Sequence, residues 1–238
     1  MSSPTQNPGP SEISALLRGE IETISTWSHS WVPRRFALQV AVIILGAGLY
    51  GAAMGWWRAP QQALYVAIKF PLIILLVTGG NTLINGMLAP LLGLDIRFRQ
   101  SFSAIVMSFT VTSAILGAFS PIMAFLVWNA PAMSPQTSHN PAYNFILLAN
   151  VAVIGLAGVA GNARLFQLLF RLGGNRIVAL RVIVAWLAGN LFLGSQLTWI
   201  LRPFIGSPTL PVEFLRQNAF QGNFYEAVFR SLHQILHH

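Results

Sequence analysis

The chain reads as an all-α integral membrane protein: a polytopic transmembrane helical bundle of about five spans, with amphipathic interfacial helices at both termini. Three observations carry that reading. Apolar residues make up 54% of the 238 and charged residues only 8%, a balance outside the range of soluble domains. Several uncharged runs of about twenty residues suffice to cross a hydrocarbon core of ~30 Å at ~1.5 Å per residue. Of the 14 Lys and Arg residues all but Lys69 are arginine, and most flank apolar runs.

Residues 1–35 form an aqueous N-terminal segment. "MSSPTQNPGP" reads as an extended tail, and Ser11 is a candidate N-cap with Glu12 in the first turn. Ile13, Leu16, Leu17, Ile21, Ile24 and Trp27 then recur at helical spacing among Arg18, Glu20 and Glu22. That pattern predicts an amphipathic helix lying along a membrane or a partner. No short apolar core with a small-residue cleavage site occurs here, so the first span is expected to act as an uncleaved anchor.

The bundle is expected over residues 36–205. Arg34 and Arg35 mark the bilayer edge, and span one runs from about Phe36 to Trp57, ending in the aromatic "GWWR". Span two starts near Pro60 and stays apolar to Gly93, longer than a straight crossing needs; Pro71 and the Gly79–Gly80–Asn81 stretch are expected to kink or split it. Asp95, Arg97 and Arg99 mark an aqueous loop. Span three covers roughly Phe102 to Val127, bending at Pro121. Span four covers Tyr143 to Ala163, followed by "RLFQLLFRLGGNR" as a basic turn. Span five runs from Ile177 to Ile200. The segment 206–238 reads as an amphipathic cap or docking surface. Asn223 and Glu226 form a capping-box pattern there, ahead of Tyr225, Val228, Phe229, Leu232 and Ile235.

Arginine placement suggests orientation. With the N-terminus inside, the cytoplasmic segments hold Arg34, Arg35, Arg97, Arg99, Arg164, Arg171 and Arg176, while the first two external loops hold only Arg58. Arg181 lies one turn into span five and is placed to snorkel; Arg202 ends that span at the other surface. These arginines are the candidate lipid-headgroup contacts. The net charge of +8 therefore points to anionic lipid headgroups and topology, with no nucleic-acid partner implied.

The spans offer little chemistry. Six acidic residues exist (Glu12, Glu20, Glu22, Asp95, Glu213 and Glu226), none inside an expected span, which disfavours proton relays and hard-metal sites. No cysteine is present, and the five histidines fall in the tails and one loop, leaving no axial haem ligand at membrane depth. No hydrolase motif occurs. A dyad of Lys69 with Ser113 or Ser120 is the one nucleophilic scheme to weigh. No cofactor is implied; bound lipid is expected, and pigment or quinone binding stays open. The polar candidates are Lys69, with Gln62 and Tyr65 on the same helical face, and the amides Asn81, Asn85, Asn150, Asn190 and Gln196. Such amides commonly bond neighbouring helices at ~0.6 kcal/mol each, and they could also line a path. For Lys69 two readings stand: an ammonium climbing the polar stripe to the interface, or one facing a functional cavity.

In architecture the chain resembles bacterial five-span proteins of the Yip1-like sort, a short aqueous N-terminal segment followed by a compact bundle, over about Phe36 to Ile205. That resemblance implies a non-enzymatic role in the bacterial inner membrane and transfers no residue roles. Two functions compete. One is a structural or accessory subunit packing with other membrane subunits or with itself. The other is a channel or carrier for anions or neutral solutes, using Lys69 and a broken second span.

Overall fold

The computed structural model describes residues 10–29, 32–133, 141–173, 175–206, 211–226 and 229. Seven helices and no strand occur among them: α1 (Pro10–Arg18), α2 (Ile21–His29), α3 (Pro33–Gly55), α4 (Pro60–Leu91), α5 (Phe98–Trp128), α6 (Pro141–Gly173) and α7 (Arg176–Leu201). Helices α3 to α7 are the five long apolar ones, sufficient to span a membrane. They close a ring in the order α3, α4, α7, α6, α5, and α4 also touches α5 across it.

Of the kink or split expected in the second span, the split does not occur: α4 is one helix of 32 residues through Pro71 and Gly79–Gly80. Energetics explain why. Two mid-helix glycines cost about 1 kcal/mol each, whereas backbone groups left open in hydrocarbon cost several kcal/mol apiece. Neighbouring hydroxyls stay on the helix, Thr78 Oγ1 donating to Ile74 O and Thr82 Oγ1 to Thr78 O, both at 2.6 Å. Pro71 cannot donate to the Ala67 carbonyl, and that oxygen lies against Gly48 of α3, 3.2 Å from where a Cβ would stand. With five long helices in succession, residues before α3 and after α7 lie at opposite ends of the bundle.

α5 is one helix through Pro121, the position of its expected bend. One further boundary differs from expectation. The stretch expected as a basic turn after Ala163 is the last third of α6, because Leu165, Leu168 and Leu169 repeat at helical spacing and are buried while Gln167 and Arg171 face out. At 32, 31 and 33 residues, α4, α5 and α6 reach about 46–50 Å, well beyond a ~30 Å core.

The surplus length meets the N-terminal segment, which is two helices where one was expected. Gly19 adopts φ +72°, a left-handed conformation that ends α1, and Ser11 lies inside the first turn of α1. Leu16 and Ile24 enter a core with Leu94, Ile96, Leu165, Leu168, Val182 and Trp186. The N-terminal amphipathic face thus packs on the protruding ends of the bundle.

Glycines set the tightest crossing. On α3, Gly46 meets the Ser113 carbonyl of α5, and a Cβ on Gly117 would stand 2.8 Å from Gly46 Cα. Gly51 and Gly55 bring α3 equally close to α4, at the carbonyls of Val66 and Gln62. Small residues permit such backbone approach in a bilayer, where packing replaces hydrophobic drive between helices.

Candidate functional site

The arginines expected at the interface divide between the two ends. At the α1–α2 end, Arg171 pairs with Glu22 at 2.9 Å, and Arg164 Nη2 donates to Leu17 O at 3.0 Å. Arg35 lies over the Trp27 ring, 4.6 Å from its centroid. Arg97 N-caps α5, its N–H donating to Gln100 Oε1 at 2.8 Å. Arg34, Arg99, Arg176 and Arg181 are exposed. Arg202 follows α7 at the opposite end and stacks on Trp199. Near Arg97 and Arg171 a cavity of about 290 Å³ is lined by Ser25, Asp95, Ile96, Gln100, Arg171 and Leu172.

The polar candidates of the spans fall into three separate groups. The first is at the mouth of the bundle, on the Arg202 side. Gln62 and Lys69 are both fully buried, one above the other on α4. Gln62 Nε2 donates to Pro203 O at 2.8 Å and Phe204 O at 3.1 Å. Buried as it is, the Lys69 ammonium does not reach open solvent. It ends beneath the C-terminal tail, 3.4 Å from the main-chain oxygen of Glu213 and 5.3 Å from the centre of the Phe214 ring. Tyr65 is half-buried and meets the same Phe214 edge-on, while Gln61 Nε2 donates to its hydroxyl at 2.7 Å.

The segment read from sequence as a cap or docking surface meets the mouth through its described residues, Glu213 and Phe214 lying against Lys69. Gly206 (φ +95°) turns the chain against Arg58 after the cis Arg202–Pro203 bond. Farther on, Tyr225 stacks on Phe192 of α7 and accepts from Ser195 Oγ at 2.9 Å. Glu226 N–H donates to Asn223 Oδ1 at 2.8 Å, as the capping pattern predicts, with a helical turn at 224–226. The continuation through Val228, Leu232 and Ile235 lies outside the described residues, as do His139 and the histidines after it. Arg216 of the tail brings a second positive charge to bear on both Lys69 and Arg202; burial first, then Arg216, lower the pKa of Arg202.

The second group is the seam between α4 and α7. Asn81 donates to Asn190 Oδ1 and, at 3.5 Å, to Trp186 O, and it accepts from Asn85 Nδ2 at 2.7 Å. Gly189 makes room, since a Cβ there would stand 2.6 Å from Asn81 Oδ1. The third group is Tyr50 with Asn150: the hydroxyl donates to Oδ1 at 2.9 Å, and Nδ2 donates to Ile146 O. Gln196 joins none of them; it is half-buried on α7 with no hydrogen bond.

What separates the first two groups decides what they can do. Between Lys69 and Asn81, Ile73 and Val77 of α4 close against Leu193, Leu197 and Leu201 of α7 and Phe109 of α5. Beyond Asn85, Ala89, Val182, Ile183 and Trp186 belong to the other apolar core. The amide cluster is therefore sealed at both ends. The serine–lysine dyad does not assemble: Ser120 Oγ donates to Gly117 O, Ser113 Oγ has no partner, and Lys69 bonds only Glu213 O.

Sequence reasoning missed the α3 glycines and Arg216. "GAGLYGAAMG" carries small-residue spacing, as does "GLAGVAG" at 155–161, yet in the latter Gly155 and Gly158 face open space and Gly161 makes a close crossing, against Thr112 and Ser108. Compared with family models, with curated proteins and with solved structures, the chain matches none.

Proposed function

We propose that this integral membrane protein is non-enzymatic and acts by packing, as a structural or accessory subunit of a larger membrane assembly or of a homo-oligomer. One observation carries the reading: the amides of the α4–α7 seam bond one another between helices, with apolar side chains packed above and below them. The same closure argues against the channel or carrier reading, because about 18 Å of helix separates Lys69 from Asn81 with Ile73 and Val77 between them. The apolar flanks of α6 and α7, including Leu148, Val151, Val159 and Leu191, fit contact with lipid or further subunits. The architectural resemblance to Yip1-like proteins agrees. Arginine density favours a bacterial inner membrane with α1 and α2 on the cytoplasmic side.

The test is gentle extraction from native membrane, followed by mass determination and a flux assay in liposomes. The expected result is a particle larger than one 26.0 kDa chain and no solute or ion flux. A solitary chain that conducts, and stops conducting as Lys69→Met, would overturn the proposal.

A further inference from the structure

Of the positive charges at the mouth of the bundle, Arg58 has a partner of its own, and three others have no paired carboxylate among the described residues. Lys69 comes from α4, Arg202 from the end of α7 and Arg216 from the tail. None of the three forms an ion pair among the described residues. Lys69 is fully buried, and of the three N–H donors of its ammonium it directs one toward a single, long main-chain contact. Arg216 is less buried as a residue, but its Nε and Nη2 are shut away from solvent with no hydrogen-bond partner. Glu213 contributes its main-chain carbonyl here, and its carboxylate makes no ion pair. Buried donors of this kind are costly unless paired. The aromatic faces of Phe214 and Trp199 offset part of that cost for Lys69 and Arg202, and no group among the described residues does so for Arg216.

We infer that Lys69, Arg202 and Arg216 form a binding site for a phosphate-bearing anion under the C-terminal tail. The chemistry favours phosphate over a simple carboxylate. A guanidinium fork takes two oxygens of a tetrahedral anion side by side, and an ammonium on another side takes a third. Three cations from three separate segments match an acceptor presenting oxygens in several directions. The site is a terminus rather than a conduit, since Ile73 and Val77 close the bundle directly below Lys69. Bound phosphate would also tie the tail to α4 and α7, because each of the three segments contributes one cation. The inference stands apart from the packing role proposed above: it holds for a lone chain as well as for a subunit.

Two sources carry this chemistry, a phospholipid headgroup and a free phosphate. The full-length protein, stripped of lipid in an uncharged maltoside detergent, is titrated separately with phosphatidylglycerol, with inorganic phosphate and with an uncharged glycolipid. Melting temperature and native mass spectrometry are the readouts. A saturable rise in melting temperature with a one-to-one adduct is expected from at least one phosphate probe and not from the glycolipid. A response to phosphatidylglycerol alone assigns the headgroup, and a response to inorganic phosphate assigns the free anion. Arg216→Gln and Lys69→Met should each weaken binding tenfold or more, while Glu20→Gln, exposed at the opposite end, leaves it unchanged. Arg216 sits on the tail, so its variant decides the matter even if Lys69→Met misfolds. No saturable response to either phosphate probe, or full affinity in Arg216→Gln, would refute the site.

Discussion

Replacing Asn81 by alanine tests whether the α4–α7 amides act as glue. The change removes two donated bonds, to Asn190 Oδ1 and Trp186 O, and one accepted from Asn85. Two of the three bonds cross between helices, and at about 0.6 kcal/mol per interhelical side-chain bond in a bilayer they come to about 1.2 kcal/mol; the third, from Asn85, lies within α4. Alanine avoids a second effect: any larger apolar side chain would press on Gly189, which already lies against the amide. For a chain of this length, ~1 kcal/mol corresponds to a shift of about 2–4 °C, so Asn81→Ala should lower the melting temperature by about 2–5 °C. A double-mutant cycle with Asn190→Ala isolates the shared bond and should return a coupling near 0.6 kcal/mol, with about 1.7 as the ceiling. The assay is thermal or denaturant unfolding in mild detergent, with near-ultraviolet circular dichroism to confirm native packing. An unchanged melting temperature in Asn81→Ala, or a coupling indistinguishable from zero, would refute the reasoning, for the amides would then be hydrated and dispensable.

Other perturbations probe the crossing and the buried cation. Gly117→Leu places a branched side chain where the α3 and α5 backbones meet at Gly46; overpacking of this kind costs about 1–3 kcal/mol, and the unfolding midpoint should fall accordingly. The control Gly155→Leu meets open space and should raise or leave the midpoint; equal losses in both would contradict the assigned crossing. Lys69→Met, measured without lipid or phosphate, should leave stability unchanged or raise it by about 1 kcal/mol. A lysine at mid-helix costs about 2.5–3.5 kcal/mol, and a cation–π contact returns at most ~2. A loss of more than about 3 kcal/mol is the signature of a broken buried ion pair and would show that a carboxylate partners Lys69.

The class of fold was legible because a bilayer imposes it: hydrocarbon demands internally bonded helices, and their length and apolarity show directly in composition. Boundaries were less legible wherever a local signal met that demand. Gly79–Gly80 and Pro71 look like breaks in a soluble context, yet the cost of opening the backbone in hydrocarbon overrides them. The end of α6 misled in the opposite way. Arg164 and Arg171 suggested an aqueous turn, but their stems serve a helix that extends past the bilayer to meet Leu17 and Glu22. At the mouth, Gln62 and Lys69 could be placed on one face from spacing alone. Their true covering, Glu213 and Phe214, lies more than 140 residues away in sequence, and no periodicity reports a contact of that range. The same holds for Arg216, whose meaning comes only from the two cations beside it.

The apolar closure at Ile73, Val77 and Leu201 also has an electrical meaning. An energised membrane drops about 2.3 kcal/mol per elementary charge for every 100 mV. That field falls most steeply where no dipoles or ions can follow it, which in the α4–α7 seam is this layer of hydrocarbon side chains. Lys69 lies on the mouth side of that layer, so an anion bound there would be separated from the opposite face by hydrocarbon side chains.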